Sequence, residues 1–358
     1  MIDDSVRTEV LSIGIDLGDR ASTYTVLGSD RKVLETGQLA TNPEAFERAF
    51  GRSVPCKVAI EAGTHAWWVH RVLEKVGHDV RVVNPRKLKL LTRSLKKNDR
   101  QDSEILARVV VSDLDLVSEV RHRGFSQQRH RMVLRLRDAA VRSRTTLINC
   151  VRGVIKPFGL RVSRCDATLF HKKAAECLPQ ESLEIVNLLL EQIAQLTATI
   201  RAYDKQIAEI VKQHYPHATR LSQIPGVGPV TTLCYLATID DPSRFARSRD
   251  VGPYLGLTPR LRESGDVQPQ LRITKAGDAM MRRLLTQGAQ YIFGRNGPDC
   301  DLKRYGAAIA SRGGKNAKKR AIVAIARKLA VLLHRLWVSG RPYEPLRQAN
   351  ARAATVPQ

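Results

Sequence analysis

Leu11-Ser12-Ile13-Gly14-Ile15-Asp16 is the stretch on which the fold turns. It is a short apolar run of strand type that ends on a carboxylate, and Gly18 follows it. A second such run, Lys57-Val58-Ala59-Ile60-Glu61, ends the same way. Between them, residues 23–27 and 33–39 read as strands joined through Gly28-Ser29-Asp30, and Asn42-Pro43-Glu44 starts a helix through residue 50. Beyond Glu61, a helix is expected over 65–76, stopped by Gly77, and a fifth strand over 79–83, closed by Asn84-Pro85. Strands first, then strand–helix alternation, predict an α/β domain with a mixed sheet.

Outward from this domain the pattern becomes helical. Val133, Leu136, Ala140, Ser143, Leu147, Cys150 and Val154 step by three and four from about Ser126 onward. So do Val186, Leu189, Ile193, Leu196, Ile200, Tyr203, Ile207 and Ile210, as in a coiled-coil seam. The two helices can pair with each other or with a second chain, and the sequence leaves both open. Residues 159–180 between them have no regular pattern. Further on, Ile224-Pro225-Gly226-Val227-Gly228-Pro229 lies between two helix-like segments, like the hairpin of a helix-hairpin-helix element. Gly226 and Gly228 would let backbone approach a phosphate; a plain turn is the bland alternative. Helices are expected over 278–293 and 317–338, the latter opening with Lys318, Lys319 and Arg320.

Composition limits the partners. The 358 residues carry 59 Lys+Arg against 35 Asp+Glu, a net charge of +24, which points to a polyanion, most simply nucleic acid. From Arg272 to Arg347 there are 17 Lys/Arg and 4 Asp/Glu. No apolar run is long enough to span a membrane, and no signal-peptide pattern opens the chain. Six scattered cysteines without a C-x-x-C pair argue against a zinc site or a disulfide framework and suit a reducing cytoplasm.

The chemistry-bearing candidates are Asp16, Glu61, Asp99 and Asp102. The last two are three apart in Lys97-Asn98-Asp99-Arg100-Gln101-Asp102, on one face of a predicted helix. Two strand-end carboxylates and a helical pair can converge on hard cations such as magnesium, and two ions can clamp both oxygens of a phosphodiester displacement. A single acidic residue is usually a solvated surface group, as Asp19, Asp30 and Glu35 are read here. Ser264 lies in a basic loop with Arg260, Arg262, Arg272 and Lys275. As a nucleophile it would need a base or metal and nearby cations; otherwise it is a surface hydroxyl. His65, His70 and His78 lack metal-ligand spacing and read as structural or surface residues, and Trp67 and Trp68 as packing residues.

Ile13-Gly14-Ile15-Asp16, Ala59-Ile60-Glu61-Ala62 and Asn98-Asp99-Arg100-Gln101-Asp102 resemble the DEDD signature of insertion-sequence transposases with a RuvC-like N-terminal domain. Ile224-Pro225-Gly226-Val227-Gly228, Tyr254-Leu255-Gly256-Leu257-Thr258-Pro259-Arg260, Glu263-Ser264-Gly265 and Ile273-Thr274-Lys275-Ala276-Gly277 resemble the C-terminal domain of the same family. The resemblance spans roughly residues 11–340. It implies an RNase H-like first domain, magnesium on Asp16, Glu61, Asp99 and Asp102, and Ser264 as the nucleophile of a covalent phosphoserine link to DNA. It also implies a noncoding guide RNA encoded by the element, and a homo-oligomer, dimer or tetramer, that draws metal site and serine from different subunits. Two positions depart from the family pattern: Ala62-Gly63-Thr64-His65 after Glu61, and Ser103 where alanine is common.

The expected organisation is therefore a RuvC-like α/β domain over 1–125, a helical coiled-coil segment over 126–215, a mainly helical DNA-joining domain over 216–345 and a disordered tail over 346–358. The expected activity is DNA transposition in a prokaryotic cytoplasm, at the nucleoid and without a membrane. A magnesium-dependent, structure-specific nuclease with no serine intermediate is the alternative. A non-catalytic nucleic-acid binder is a third reading, supported by charge alone.

Overall fold

The computed structural model describes residues 10–85, 98–112, 119–262 and 271–347. The chain divides into two compact units, the first ending at His122 and the second beginning at Arg123.

In the first unit, β1 (Val10–Asp16), β2 (Ala21–Gly28), β3 (Val33–Ala40), β4 (Lys57–Glu61) and β5 (Asp79–Val83) form one sheet in the order β3-β2-β1-β4-β5. β2 is antiparallel to β1 and β3, whereas β4 is parallel to both β1 and β5. This mixed five-stranded sheet fits the RNase H-like expectation. The alternation of side chains along β1 assigns its two faces. Ile13 and Ile15 are fully buried, with Val58, Ile60, Phe46, Phe50, Val69 and Leu73, under α1 (Pro43–Phe50) and α2 (Ala66–Lys75). Asn42 caps α1 by accepting a hydrogen bond from the Ala45 amide at 2.8 Å, with Pro43 in the first turn.

The other face of β1 carries Ser12 and Gly14, and α3 (Asp99–Val110) lies against it. Gly14 is required there. A Cβ at this position would sit 2.0 Å from the Ser103 carbonyl oxygen and 2.2 Å from the Ala107 nitrogen. The Ser12 hydroxyl donates to the Ala107 carbonyl at 2.8 Å, and Leu106 and Val110 bury against Ala59 and Val83.

The second unit is helical. α4 (Phe125–Ile155) and α6 (Gln180–His214) pack against each other in one chain, so the helices left open by the sequence form an internal pair. They run antiparallel: Arg137 pairs with Asp204 and Arg144 with Thr197, and His130 meets Tyr215 just past α6. The buried stripe of α4 differs from the expected seam. It is His130, Leu134, Ala140, Arg144, Ile148, Val151 and Ile155, while Leu136 and Val154 are 48% and 49% exposed. A purely apolar count misplaces it because His130 and Arg144 belong to the contact. On α6 the expected Val186, Ile193, Ile200 and Ile207 are buried, joined by Leu190, Thr197 and Val211. Between the long helices, where no pattern was legible, α5 (Phe170–Cys177) inserts Phe170 and Ala174 into the tip of the hairpin.

The core of the second unit surrounds α7 (Pro229–Ile239), whose residues from Thr231 to Ile239 are all buried. α8 (Ala279–Phe293), α9 (Asp301–Ala310) and α10 (Ala317–Ser339) pack with it, among them Leu233, Leu285, Ile292 and Leu329. Tyr235 is fully buried, and its hydroxyl donates to the Ala330 carbonyl at 2.8 Å, which removes the cost of an unmade hydrogen bond.

Candidate active site

In the first unit the parallel register of β1 and β4 pairs Ile13 with Val58 and Ile15 with Ile60. The same offset sets Asp16 beside Glu61 at the carboxyl ends of the two strands, which lie about 4.8 Å apart. Both are partly exposed. Asp16 falls on the face of β1 that carries Ser12 and Gly14, the face covered by α3. Ser12 meets Ala107 and Gly14 meets Ser103, so each step up the strand is a step back along the helix. Continued, this order brings the Asp16 end of β1 toward the first turn of α3, which carries Asp99 and Asp102.

That first turn is built locally. The Asn98 side chain accepts from the Arg100 amide at 3.1 Å, and acids at a helix start are favoured by the helix dipole. Ser103 is fully buried. Its hydroxyl lies 2.8 Å from the Thr25 hydroxyl of β2 and donates to the Arg100 carbonyl at 2.9 Å. This serine thus adds a tie between the sheet and the helix that bears the acidic pair.

All four acids offer hard oxygen ligands, so their chemistry suits magnesium. They stand as two pairs, one on strand ends and one on a helix. Among the described residues no group of three or more His, Cys, Asp or Glu is gathered to hold a metal ion.

His65 also reaches this edge of the sheet. Trp68 donates its indole N–H to His65 Nδ1 at 3.1 Å, which leaves Nε2 to donate to Asp19 at 3.4 Å. Trp68 packs on Phe46 and Trp67 lies under Arg71, in keeping with packing roles. His78 is buried between the Cys56 amide and the Phe50 carbonyl, a structural role.

In the second unit, Ser264 lies outside the described residues, as do Glu263, Gly265 and residues 348–358 of the expected tail. The chain on either side of Ser264 is joined by backbone hydrogen bonds. The Arg260 amide donates to the Arg272 carbonyl at 3.0 Å, Thr274 to Thr258 at 2.9 Å and Lys275 to Gly256 at 3.2 Å. These bonds form a short ribbon, with Arg260 and Arg272 paired at its open end. Arg262 and Lys275 are exposed beside them.

Two glycines lock the base of the ribbon. Gly256 and Gly277 have φ of +67° and +71°, and a Cβ on them would come within 2.3 Å of the Ala276 oxygen and 2.2 Å of the Tyr254 oxygen. Lys275 itself holds φ +56°. Arg282 of α8 donates to the Leu255, Ala276 and Gly277 carbonyls, clamping both sides of the base. Nothing in composition or periodicity singled out Arg282; its signal is spatial.

Below the clamp, Arg131 pairs with Asp278 at 2.8 Å, with only 14% and 15% of their side chains exposed. Asp278 also caps α8 by accepting from the Met281 amide. Burial alone would raise the Asp278 carboxyl, but the Met281 amide and the Arg131 guanidinium outweigh it and hold it below its ordinary value.

The other candidates are spread over the second unit. Gly226 has φ +78°, and its backbone packs on Gly288 of α8, where a Cβ would lie 2.8 Å from the Gly288 oxygen. Helix packing therefore explains this glycine. Gly228 has open space around its missing Cβ and stands at the start of α7. The segment before the hairpin is a 3-10 helix, Pro216–Gln223. Lys318, Lys319 and Arg320 begin α10, a different element from the ribbon.

The chain is similar to known proteins along most of its length. Residues 13–158 match a family described as transposase, of the DEDD IS110 type, and residues 218–304 match one described as transposase of the IS116/IS110/IS902 family. The chain is 30% identical over 345 residues to the transposase for insertion sequence element IS1111A of Coxiella burnetii, covering 94% of this chain and 92% of that protein. It is 30% identical to a probable family 20 transposase of Pseudomonas aeruginosa, over 78% of this chain and 83% of the other. It is 28% identical to the pilin gene-inverting protein of Moraxella bovis, over 43% and 48%.

Proposed function

The chain belongs to the IS116/IS110/IS902 family of transposases, and from that premise we propose that it cuts and rejoins DNA through a phosphoserine at Ser264, assisted by magnesium at Asp16, Glu61, Asp99 and Asp102. The observation that carries the reading is the placement of Asp16 beside Glu61 at the ends of parallel strands, on the face covered by the helix of Asp99 and Asp102.

The Ser264 oxygen attacks phosphorus, a phosphoserine bond forms, and the P–O bond to one strand breaks. That strand leaves as a hydroxyl and takes the proton. A second strand's hydroxyl then attacks the phosphoserine and restores the serine. One phosphoester replaces another at each step, so no external energy source is needed. Arg260, Arg262, Arg272 and Lys275 supply positive charge where the phosphate gathers negative charge. Bound magnesium, as two ions, would polarise the phosphate and favour the deprotonated nucleophile. The Arg282 clamp and the two positive-φ glycines fix the ribbon that flanks Ser264 in the sequence.

Guidance by an element-encoded noncoding RNA and assembly as a dimer or tetramer belong to the same proposal, as does DNA or RNA contact through Gly226, Gly228, Lys318, Lys319 and Arg320. The excess of cations from Arg272 to Arg347 supports the nucleic-acid part.

The test is covalent trapping on a denaturing gel with DNA from the flanks of the element, transcribed flanking RNA and magnesium. A protein–DNA band that requires RNA and disappears in Ser264→Ala is expected. Nicked DNA without an adduct, unchanged in Ser264→Ala, would instead establish the hydrolytic nuclease.

A further inference from the structure

A cavity of about 480 Å³ opens in the second unit between α9, α10 and the chain that follows α10. Val331, Leu332 and Leu336 contribute apolar surface to it. Arg249, Arg327, Lys328, Arg335 and Arg347 also line it, against two acids, Asp301 and Glu344. Arg327, Val331 and Arg335 are four apart on α10 and so share one side of that helix. Two aromatic rings complete the wall. Tyr305 is stacked with the Lys328 ammonium, which stands 3.7 Å from the ring centre, and Tyr343 is a half-buried part of the lining. The segment after α10 is tied down, because the Asp301 amide donates to the Pro345 carbonyl at 2.8 Å and the Tyr343 amide to the Gln223 side chain at 3.2 Å.

Among the described residues, this cavity has in its lining none of the four DEDD acids and none of the ribbon residues. Its volume suits a small planar group, since ligand pockets of about 300–1,000 Å³ are typical. An apolar wall with aromatic rings favours a flat ring, and the surplus of cations favours an attached anion. A nucleobase on its phosphate backbone has both features, and stacking with cationic neighbours is how proteins hold unpaired bases. Residues 348–358, which follow Arg347 in the sequence, include Arg352 and no Asp or Glu, so their side chains offer the cavity no acidic group.

We propose that this cavity captures an unpaired nucleotide of a DNA or RNA strand, with the base against Tyr305 and the phosphate between Arg327 and Arg335. The inference rests on the nucleic-acid reading of the second unit and adds a specific subsite to it.

The test uses the full-length protein with a short oligothymidylate carrying 4-thiothymidine, and its 4-thiouridine RNA counterpart. Photo-crosslinks are mapped by mass spectrometry. Adducts are expected on the peptides that contain Tyr305 or Tyr343. Single-strand affinity should fall about tenfold in Tyr305→Leu, with blunt duplex affinity nearly unchanged. The strand type with the larger loss identifies the source of the nucleotide. Arg327→Gln/Arg335→Gln, which alters two exposed side chains, gives the same readout should Tyr305→Leu fail to fold. Adducts mapping only elsewhere, or unchanged single-strand affinity in the folded double variant, would overturn the pocket and leave the broader reading intact. No binding of either strand would overturn both. Displacement of the oligonucleotide by an acidic peptide that itself crosslinks in the cavity would assign it to a protein partner and also overturn the proposal.

Discussion

At the scale of single residues, the structure turns on a few positions where little else would fit. Gly14 lets the Ser103 carbonyl of α3 approach within what would be 2.0 Å of a Cβ. Gly14→Ala must push the helix off the sheet and is expected to cost about 1–3 kcal/mol or more, read by urea unfolding. It should also impair metal-dependent cleavage, because it moves Asp99 and Asp102 relative to Asp16. An unchanged unfolding midpoint would show that α3 is not seated as described. Asp278 serves two partners, the α8 amide and Arg131. Asp278→Ala removes a cap and leaves a largely buried arginine unpaired, for an expected loss of about 2–4 kcal/mol by the same measurement. Arg282→Gln removes the clamp on the ribbon without altering the surface charge at its mouth. We expect adduct formation to slow while DNA affinity holds; equal losses of both would assign Arg282 to binding.

At the scale of elements, what the sequence revealed depended on how cleanly burial follows hydrophobicity. The five strands were legible because apolar residues fill one or both faces and polar turns bound them. So were Asp16 and Glu61, since strand ends mark themselves. The seam of α4 was not, because His130 and Arg144 take buried positions that a count of apolar residues skips. α5 and α9 escaped notice because each is short and buries only two residues, too few to establish a period. The polar members of the hairpin make it sensitive to pH. Burial, with His214 and Arg129 nearby, lowers the His130 pKa below 6.5, and its Nδ1 lies 3.0 Å from the Tyr215 hydroxyl. The unfolded chain therefore takes up this proton first. The stability His130 contributes is complete above about pH 6.5 and declines as pH falls from there toward its lowered folded value. Thermal melts between pH 7.5 and 5 (about the range in which histidine titrates) should show a decline that is smaller in His130→Gln. An identical slope in the variant would place the sensitivity elsewhere.

At the scale of the whole molecule, charge and chemistry are divided between the units. The first sets Asp16 beside Glu61 at the ends of adjacent strands; the second carries a long basic segment, with Ser264 in its sequence. No described helix is long and apolar enough to cross a membrane. Binding to DNA should weaken steeply with salt, and Lys318→Gln/Lys319→Gln should reduce the slope of log affinity against log salt by about 2 if each lysine meets a phosphate. A slope equal to that of the unaltered protein would remove these two from the interface. The central claim, however, is that a strand-end carboxylate pair in one unit and a serine in the other serve one reaction. Its most direct test is to trap the protein–DNA adduct with magnesium and flanking RNA, digest it, and locate the phosphate by mass spectrometry. The account predicts phosphate on Ser264 in the unaltered protein and no adduct in Asp16→Asn. An adduct on another residue, or one that persists in Asp16→Asn, would contradict it.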